Sequence, residues 1–317
     1  MSENIITQEI LKTARQNSAV RGVILCKNYS VQLTKTGKEY ISGELQSGVS
    51  IQFKAWGNSK AFSKLKDENY VGLPVFIQGE FDNFGGTNSI TITDIVAVEG
   101  FTSDQFLPIK YNIDAYFTGL IALVQSKLSE KAMKYANKVL FENKEVADRF
   151  KIEFAASSHH DNCKGGLLAH TYKVVSFASS IVKTYPVLLG TENVSDMQDL
   201  VILGALLHDI GKIREMNIGV YQPNSSVTHR YLGIEFVDKY KDEIIADYSE
   251  KWYYDLVSIF LQHHGDFDDK CRTLPALIVH KADLLDSEFT LIAQMLETPV
   301  SSPSGDKIKY NGSYITL

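Results

Sequence analysis

Seven residues carry the chemistry this chain can do: His170, the adjacent pair His208-Asp209, His229, the adjacent pair His263-His264, and Asp283. They are nitrogen and carboxylate donors with no thiolate among them, the set that hard and borderline divalent ions prefer. A water shared by two such ions has its pKa drawn from 15.7 toward about 7 and can attack phosphorus or carbon near neutral pH. In the pair His208-Asp209, the carboxylate can bridge two ions while the imidazole holds one. A lone histidine on an apolar helix face is ordinarily a satisfied core residue. Seven such groups inside one bundle are different, because unpaired buried donors and acceptors cost about 1–3 kcal/mol each and metal coordination removes that cost. Lys212, just past the pair, suits a phosphate contact, or simply a helix C-terminus whose dipole favours a cation.

The elements that must position these residues are helical. His170 continues an apolar face through Val174, Phe177 and Ile181. A second helix is predicted to begin at Ser195, with Gln198 completing a capping box, to carry His208 and Asp209, and to stop at Gly211. His229 shares a face with Leu232, Gly233, Phe236 and Val237, and His263 follows Trp252, Leu256, Ile259 and Phe260 to a helix end at Gly265. Asp283 lies on a helix opened by Pro275 that also carries Leu277 and His280. Each ligand therefore points where its helix points its apolar stripe, and the ligands should converge inside a bundle.

The first hundred residues read differently. Short β-branched and aromatic runs at Val20 to Cys26, Tyr29 to Thr34, Tyr40 to Leu45, Val49 to Trp56, Leu73 to Phe81 and Ser89 to Val98 are separated by turn signals such as Lys35-Thr36-Gly37-Lys38 and Asn83-Phe84-Gly85-Gly86. A polar stretch from Asn58 to Asn69 holds a short helix, and strands interrupted by one helix fit a small barrel. Barrels of this kind bind single strands by stacking bases on exposed aromatics while lysines track the backbone. Most barrel aromatics are core, so Tyr29, Tyr40 and Phe84, beside turns, are the stacking candidates, with Lys38 for phosphate. Eight Lys and Arg between Val20 and Gly100 are matched by eight Asp and Glu, so attraction to nucleic acid should lean on stacking more than on charge.

Composition sets limits around this picture. The 317 residues, 44% hydrophobic, suffice for one large core or two ordinary ones. A net charge of -6 argues against a protein held to nucleic acid by a broad basic surface, although metal-binding carboxylates inflate the acidic count. Cys26, Cys163 and Cys271 form no CxxC pair and read as reduced thiols, not a disulfide framework. The start lacks a basic n-region and an apolar h-region, and the longest apolar stretch, Val201 to Leu207, is too short to cross a bilayer, so the expectation is a cytoplasmic protein without a membrane partner. Near the end, Ser301 to Gly305 is a flexible link and Asn311-Gly312 predicts a two-residue hairpin that docks on another surface or subunit, which leaves a homo-oligomer open.

The order of the ligands, with Leu206-Leu207-His208-Asp209-Ile210-Gly211-Lys212, resembles the two-metal members of the HD phosphohydrolase superfamily, and the front half resembles an OB-fold at Thr36-Gly37-Lys38, Gly48 to Trp56 and Val75 to Phe81. Together, at this length, they resemble the YhaM-type 3′-to-5′ exoribonucleases, with further matches at His159-His160, Gly166 to His170 and Tyr185-Pro186. The resemblance implies that His170, His208, Asp209 and Asp283 hold one metal. It further implies that Asp209 bridges to a second ion bound by His229 and by His263, His264 or both. The loop from Asn217 to Thr228 departs from the family pattern, which makes His229 the least secure of these ligands. His159, His160 and His280 are candidates for substrate contacts or proton transfer, with His160 taken beside Asp209 and Lys212 as catalytic.

The reading is then a multidomain chain: an extension at 1–17, an all-β OB barrel at 18–100, a helical connector at 101–150, an all-α HD bundle at 151–290 and a tail with a hairpin at 291–317. Its expected activity is that of a metal-dependent 3′-to-5′ exoribonuclease on single-stranded RNA, with single-stranded DNA as a second substrate. Oxygen and nitrogen donors favour Mn2+ or Fe2+ over Zn2+, with Co2+ and Mg2+ as further candidates. Two rivals stand beside it: an HD phosphohydrolase acting on a nucleotide or cyclic dinucleotide, and a single-strand binding protein whose HD bundle is a scaffold.

Overall fold

A computed structural model describes residues 4–13, 15–84, 87–157, 161–222, 226–265, 269–297, 307–310 and 312–316. The chain divides into two compact units, Met1–Ile109 and Lys110–Leu317. Each has its own apolar core.

In the first unit, α1 (Gln8–Thr13) precedes β1 (Ala19–Leu33), β2 (Glu39–Ser47) and β3 (Val49–Trp56); α2 (Lys60–Asp67) then leads to β4 (Pro74–Phe84) and β5 (Thr87–Ala97). The strands close into a barrel in the order β1-β2-β3-β5-β4, antiparallel except for the β3·β5 pair. That order, with a helix between β3 and β4, is the OB-fold. The period-2 alternation puts Ile41, Leu45, Ile51, Phe53, Ala55, Val75 and Ile77 inside. The two runs expected before and after Lys27 are one strand, β1, which stays continuous because a bulge between Cys26 and Asn28 absorbs the change of face. A second bulge lies at Gln78/Gly79, where a Cβ on Gly79 would sit 2.3 Å from the Thr91 carbonyl oxygen, so only glycine lets the two strands approach. Ser59 caps α2, its hydroxyl accepting from the Phe62 amide at 3.1 Å.

The second unit is helical. Helices α3 (Ile113–Gln125), α4 (Glu130–Ala136) and α5 (Lys144–Ile152) contribute Leu120, Val124, Tyr135, Val146 and Phe150 to the same core as the later helices. Then come α6 (Gly166–Thr184), α7 (Val194–Leu207), α8 (Lys212–Glu215), α9 (His229–Asp238), α10 (Lys241–Asp247), α11 (Glu250–Gln262) and α12 (Leu274–Glu297). Helix α7 is buried without interruption from Asp199 to Leu207, so it runs through the centre, with α6, α11 and α12 packed against it. Its expected capping box is absent. The N-cap is Asn193, and Gln198 instead donates to the Lys127 carbonyl at 2.6 Å, tying α7 to the end of α3. Two small antiparallel pairs complete the unit, β6 (Met216–Asn217) with β7 (Val220–Tyr221), and β8 (Lys307–Tyr310) with β9 (Ser313–Thr316), the latter being the hairpin expected at Asn311-Gly312. Among the described residues, no helix is long and apolar enough to cross a membrane.

Candidate metal centre

Five chain segments meet around Asp209. His208 is the C-cap of α7, and the turn from His208 to Gly211 carries Asp209 before α8 begins at Lys212. His170 comes from α6, His229 opens α9, His263 and His264 follow the last turn of α11, and Asp283 lies on α12. The turn is held tightly against α9: a Cβ on Gly211 would lie 2.0 Å from the His229 carbonyl oxygen and 2.6 Å from the Gly233 amide nitrogen. Glycine at 211 is thus what lets Asp209 and His229 meet.

The two oxygens of Asp209 face two groups of donors. Asp209 Oδ2 lies 3.4 Å from His170 Nε2 and 3.5 Å from His208 Nε2, and Asp283 Oδ1 lies 3.3 Å from His170 Nε2. Asp209 Oδ1 lies 3.4 Å from His229 Nε2 and 3.5 Å from His263 Nε2, with His264 joining the same cluster. The seven residues expected from the sequence are all brought to this place, and one carboxylate spans the two halves.

Ring orientation decides what the histidines offer. His208 Nδ1 lies 2.9 Å from the Ala205 carbonyl and His263 Nδ1 lies 2.9 Å from the Phe260 carbonyl. A carbonyl oxygen only accepts, so Nδ1 carries the proton in both and Nε2 keeps its lone pair. His170 Nδ1 is 2.7 Å from Asp286 and His229 Nδ1 is 2.8 Å from Glu215, with the same consequence. In the neutral form all four rings therefore turn an Nε2 lone pair inward. Three of the inward atoms, Asp209 Oδ1, His229 Nε2 and His263 Nε2, are buried without a hydrogen-bond partner. Orphaned buried acceptors facing each other are destabilising unless a cation lies between them, so the donor set fits divalent ions.

The electrostatics agree. Burial pushes the His263 imidazolium pKa down to about 3 and lowers that of His208. His263 is neutral and ready to coordinate at any ordinary pH, and burial favours the neutral form of His208 as well. For His170 burial acts downward too, but Asp209, Asp283 and Asp286 outweigh it and hold a proton there; that pull is one a metal cation would satisfy in the proton's place. Burial alone would protonate Asp209, yet Lys212 and the surrounding histidines keep it ionised. Lys212 Nζ lies 2.6 Å from Asp209 Oδ2 and is itself nearly enclosed.

Several residues here were not singled out in the sequence. Glu215 and Asp286 orient ring nitrogens, and Lys173 bridges Asp286 to the fully buried Asp161. The one available signal was spacing: Asp286 falls three residues after Asp283, on the same helical face. Of the remaining candidates, His280 donates from Nδ1 to the His263 carbonyl at 2.6 Å, and so braces the end of α11. His159 and His160 lie outside the described residues.

On the barrel, Tyr29 is tied down. Its hydroxyl donates to the Glu68 carbonyl at 2.8 Å and accepts from the Tyr70 amide at 3.2 Å, which makes it part of the barrel's closure instead of an open platform. Tyr40 faces outward on β2 beside Trp56 of β3, ring centroids 5.2 Å apart, and Trp56 is 40% exposed. Trp56 lines a groove of about 660 Å3 together with Thr34, Lys38, Glu39, Gly57, Asn58 and Phe62. The side chain of Phe84 lies outside the described residues.

Residues 167–288, which include every one of the seven donors, match the family described as HD domain. The second unit carries an HD domain. Its relatives extend the likeness beyond that domain: the 3′-5′ exoribonuclease YhaM of Listeria monocytogenes is 25% identical over 288 residues, covering 86% of this chain and 87% of that protein. The YhaM protein of Oceanobacillus iheyensis is 23% identical over 298 residues, covering 87% and 86%. Among solved structures, the mitochondrial single-stranded DNA binding protein Rim1 of S. cerevisiae aligns over 26% of this chain and 96% of its own, with 14% identity and a TM-score of 0.24. The HD-domain chain thus resembles the YhaM exoribonucleases along most of its length and is a hydrolase.

Proposed function

We propose that the protein is a metal-dependent 3′-to-5′ exoribonuclease that shortens single-stranded RNA, in the cytoplasm, through a dinuclear centre at His170, His208, Asp209, His229, His263, His264 and Asp283. The observation that carries this reading is the set of inward-facing Nε2 atoms around the two-sided Asp209, with Asp209 Oδ1, His229 Nε2 and His263 Nε2 buried and unpartnered. Two divalent ions there, Mn2+ by preference, supply positive charge for phosphate oxygens and a means of deprotonating water near neutral pH.

The chain's own residues supply the rest. His170 and His208 face one oxygen of Asp209, with Asp283 beside His170, and His229, His263 and His264 face the other. Lys212 fixes the Asp209 carboxylate at 2.6 Å and keeps an ammonium beside the place where phosphate charge would accumulate. The Tyr40–Trp56 pair gives successive bases a stacking surface, worth about 1–3 kcal/mol per base, and Lys38 in the same groove approaches the sugar-phosphate backbone. The 3′-to-5′ polarity and the preference for RNA are taken from the YhaM relatives.

The test is a 5′-labelled single-stranded RNA incubated with the full chain and Mn2+, beside Asp209→Ala and beside a free nucleotide and a cyclic dinucleotide as substrates. A ladder that shortens from the unlabelled end, lost in the variant, is the expected result. Hydrolysis of the small nucleotides with the oligomer intact overturns it.

A further inference from the structure

The four inward-turned histidines are oriented in two different ways. His208 and His263 lean on backbone carbonyls of their own helices, Ala205 and Phe260, which are fixed wherever those helices form. His170 and His229 lean instead on side-chain carboxylates contributed by other segments, Asp286 of α12 and Glu215 at the end of α8. Each half of the centre contains one histidine of each kind.

Both carboxylates are buried, with Asp286 2% and Glu215 6% exposed. A buried carboxylate is costly unless paired, so each position is kept for what it pairs with. Asp286 is pinned from its far side. Its Oδ1 lies 2.8 Å from Lys173 Nζ and accepts from the Thr290 hydroxyl at 3.0 Å. Lys173 in turn donates to Asp161 Oδ2 at 2.8 Å, and Asp161 also accepts from the Tyr111 hydroxyl. Among the described residues no lysine or arginine lies at salt-bridge distance from Glu215, and its Oε2 is spent on His229 Nδ1. A histidine whose Nδ1–H donates to a carboxylate is a more basic, better-aimed ligand at Nε2.

We propose that Glu215 and Asp286 are positioning residues for two different metal ions: Glu215 for the ion held on the His229 side of Asp209, Asp286 for the ion held on the His170 side. Neither touches the ions or the substrate. Each acts through one histidine, and their effects are separable by site. The proposal rests on the dinuclear reading given above.

Metal-free full-length protein titrated with Co2+, followed by calorimetry and by the visible ligand-field bands, tests it without any turnover. The unsubstituted chain takes up two ions. Glu215→Gln and Asp286→Asn, both isosteric, each weaken one ion about 10–100-fold and leave the other unchanged. Glu215→Asp, which keeps the charge but shortens its reach, gives the same loss as Glu215→Gln. In a His229→Ala background, Glu215→Gln has no further effect, whereas Asp286→Asn weakens the remaining ion. Equal weakening of both ions by either variant, or no change in either affinity, overturns the assignment. Fewer than two ions on the unsubstituted chain overturns the dinuclear reading itself.

Discussion

Asp209 serves two sets of histidines with one carboxylate, and that depends on a neighbour with no side chain. In Gly211→Ala the added methyl would meet the His229 carbonyl at 2.0 Å, and α9 has to move away from the His208–Gly211 turn. Overpacking of this kind costs about 1–3 kcal/mol in stability, measurable by urea denaturation of the metal-free protein. Because the displaced residue is His229, the ion on that side should also bind at least about 10-fold more weakly, readable in the same Co2+ titration. A second residue-scale expectation concerns the thiols. Burial pushes the Cys26 and Cys163 thiols up to about 12, so at pH 8 almost none of either is thiolate, while half-buried Cys271 sits nearer to solvent. Iodoacetamide at pH 8 should therefore modify Cys271 first and leave the other two intact, as peptide mass analysis would show. Raising the pH toward 10 increases the thiolate fraction at Cys26 and Cys163 while keeping it near one in a hundred. Rapid modification of Cys26 in the folded chain would contradict its placement in the barrel core.

At the scale of elements, the legible features were those written as local pattern. The ligands lie on apolar helix stripes, so spacing alone placed His170, His229, His263 and Asp283 toward a common interior, and turn residues marked the strands. Three things were not legible, for one reason: they depend on what is packed opposite. The bulge that makes β1 a single strand is set by its pairing with β2. Gln198 reads as a cap in sequence and serves as a cross-link to the end of α3. Glu215 and Asp286 look like ordinary helix-surface acids until His229 and His170 are set beside them. The same distinction separates the aromatics of the barrel. Tyr29, beside a turn, resembles Tyr40 in sequence, yet its hydroxyl closes the barrel near Glu68 and Tyr70. Trp56→Ala should then raise KM for a single-stranded oligomer by about 5–150-fold with kcat nearly unchanged, since it removes stacking made equally in ground and transition states. Tyr29→Phe should leave KM alone and cost about 1 kcal/mol of stability through its lost hydrogen bonds. Steady-state kinetics beside thermal melts separates the two, and a KM effect confined to Tyr29→Phe would place the binding face elsewhere on the barrel.

For the whole molecule, two separate cores mean that a ligand of one unit need not stabilise the other. Every cluster of potential metal donors among the described residues lies in the unit Lys110–Leu317. Each ion that binds only the folded form stabilises it by about 4.1 kcal/mol when free metal is 1,000 times its dissociation constant. At about 2–4 °C per kcal/mol for a domain of this size, loading one ion corresponds to roughly 8–16 °C in Tm. The barrel, whose core contains Ile24, Ile41, Phe53 and Ile77 and no donor cluster, has no share in that gain. Scanning calorimetry of the full chain should therefore resolve a transition that falls by at least this amount on chelation and returns with Mn2+, and another that stays in place. The orphaned atoms explain the direction. Without cations the folded second unit holds Asp209 Oδ1, His229 Nε2 and His263 Nε2 unpaired, whereas the unfolded chain gives all three to water. A chelator that shifts neither transition would mean that these atoms are satisfied some other way, and the bundle would lose its claim to a metal centre.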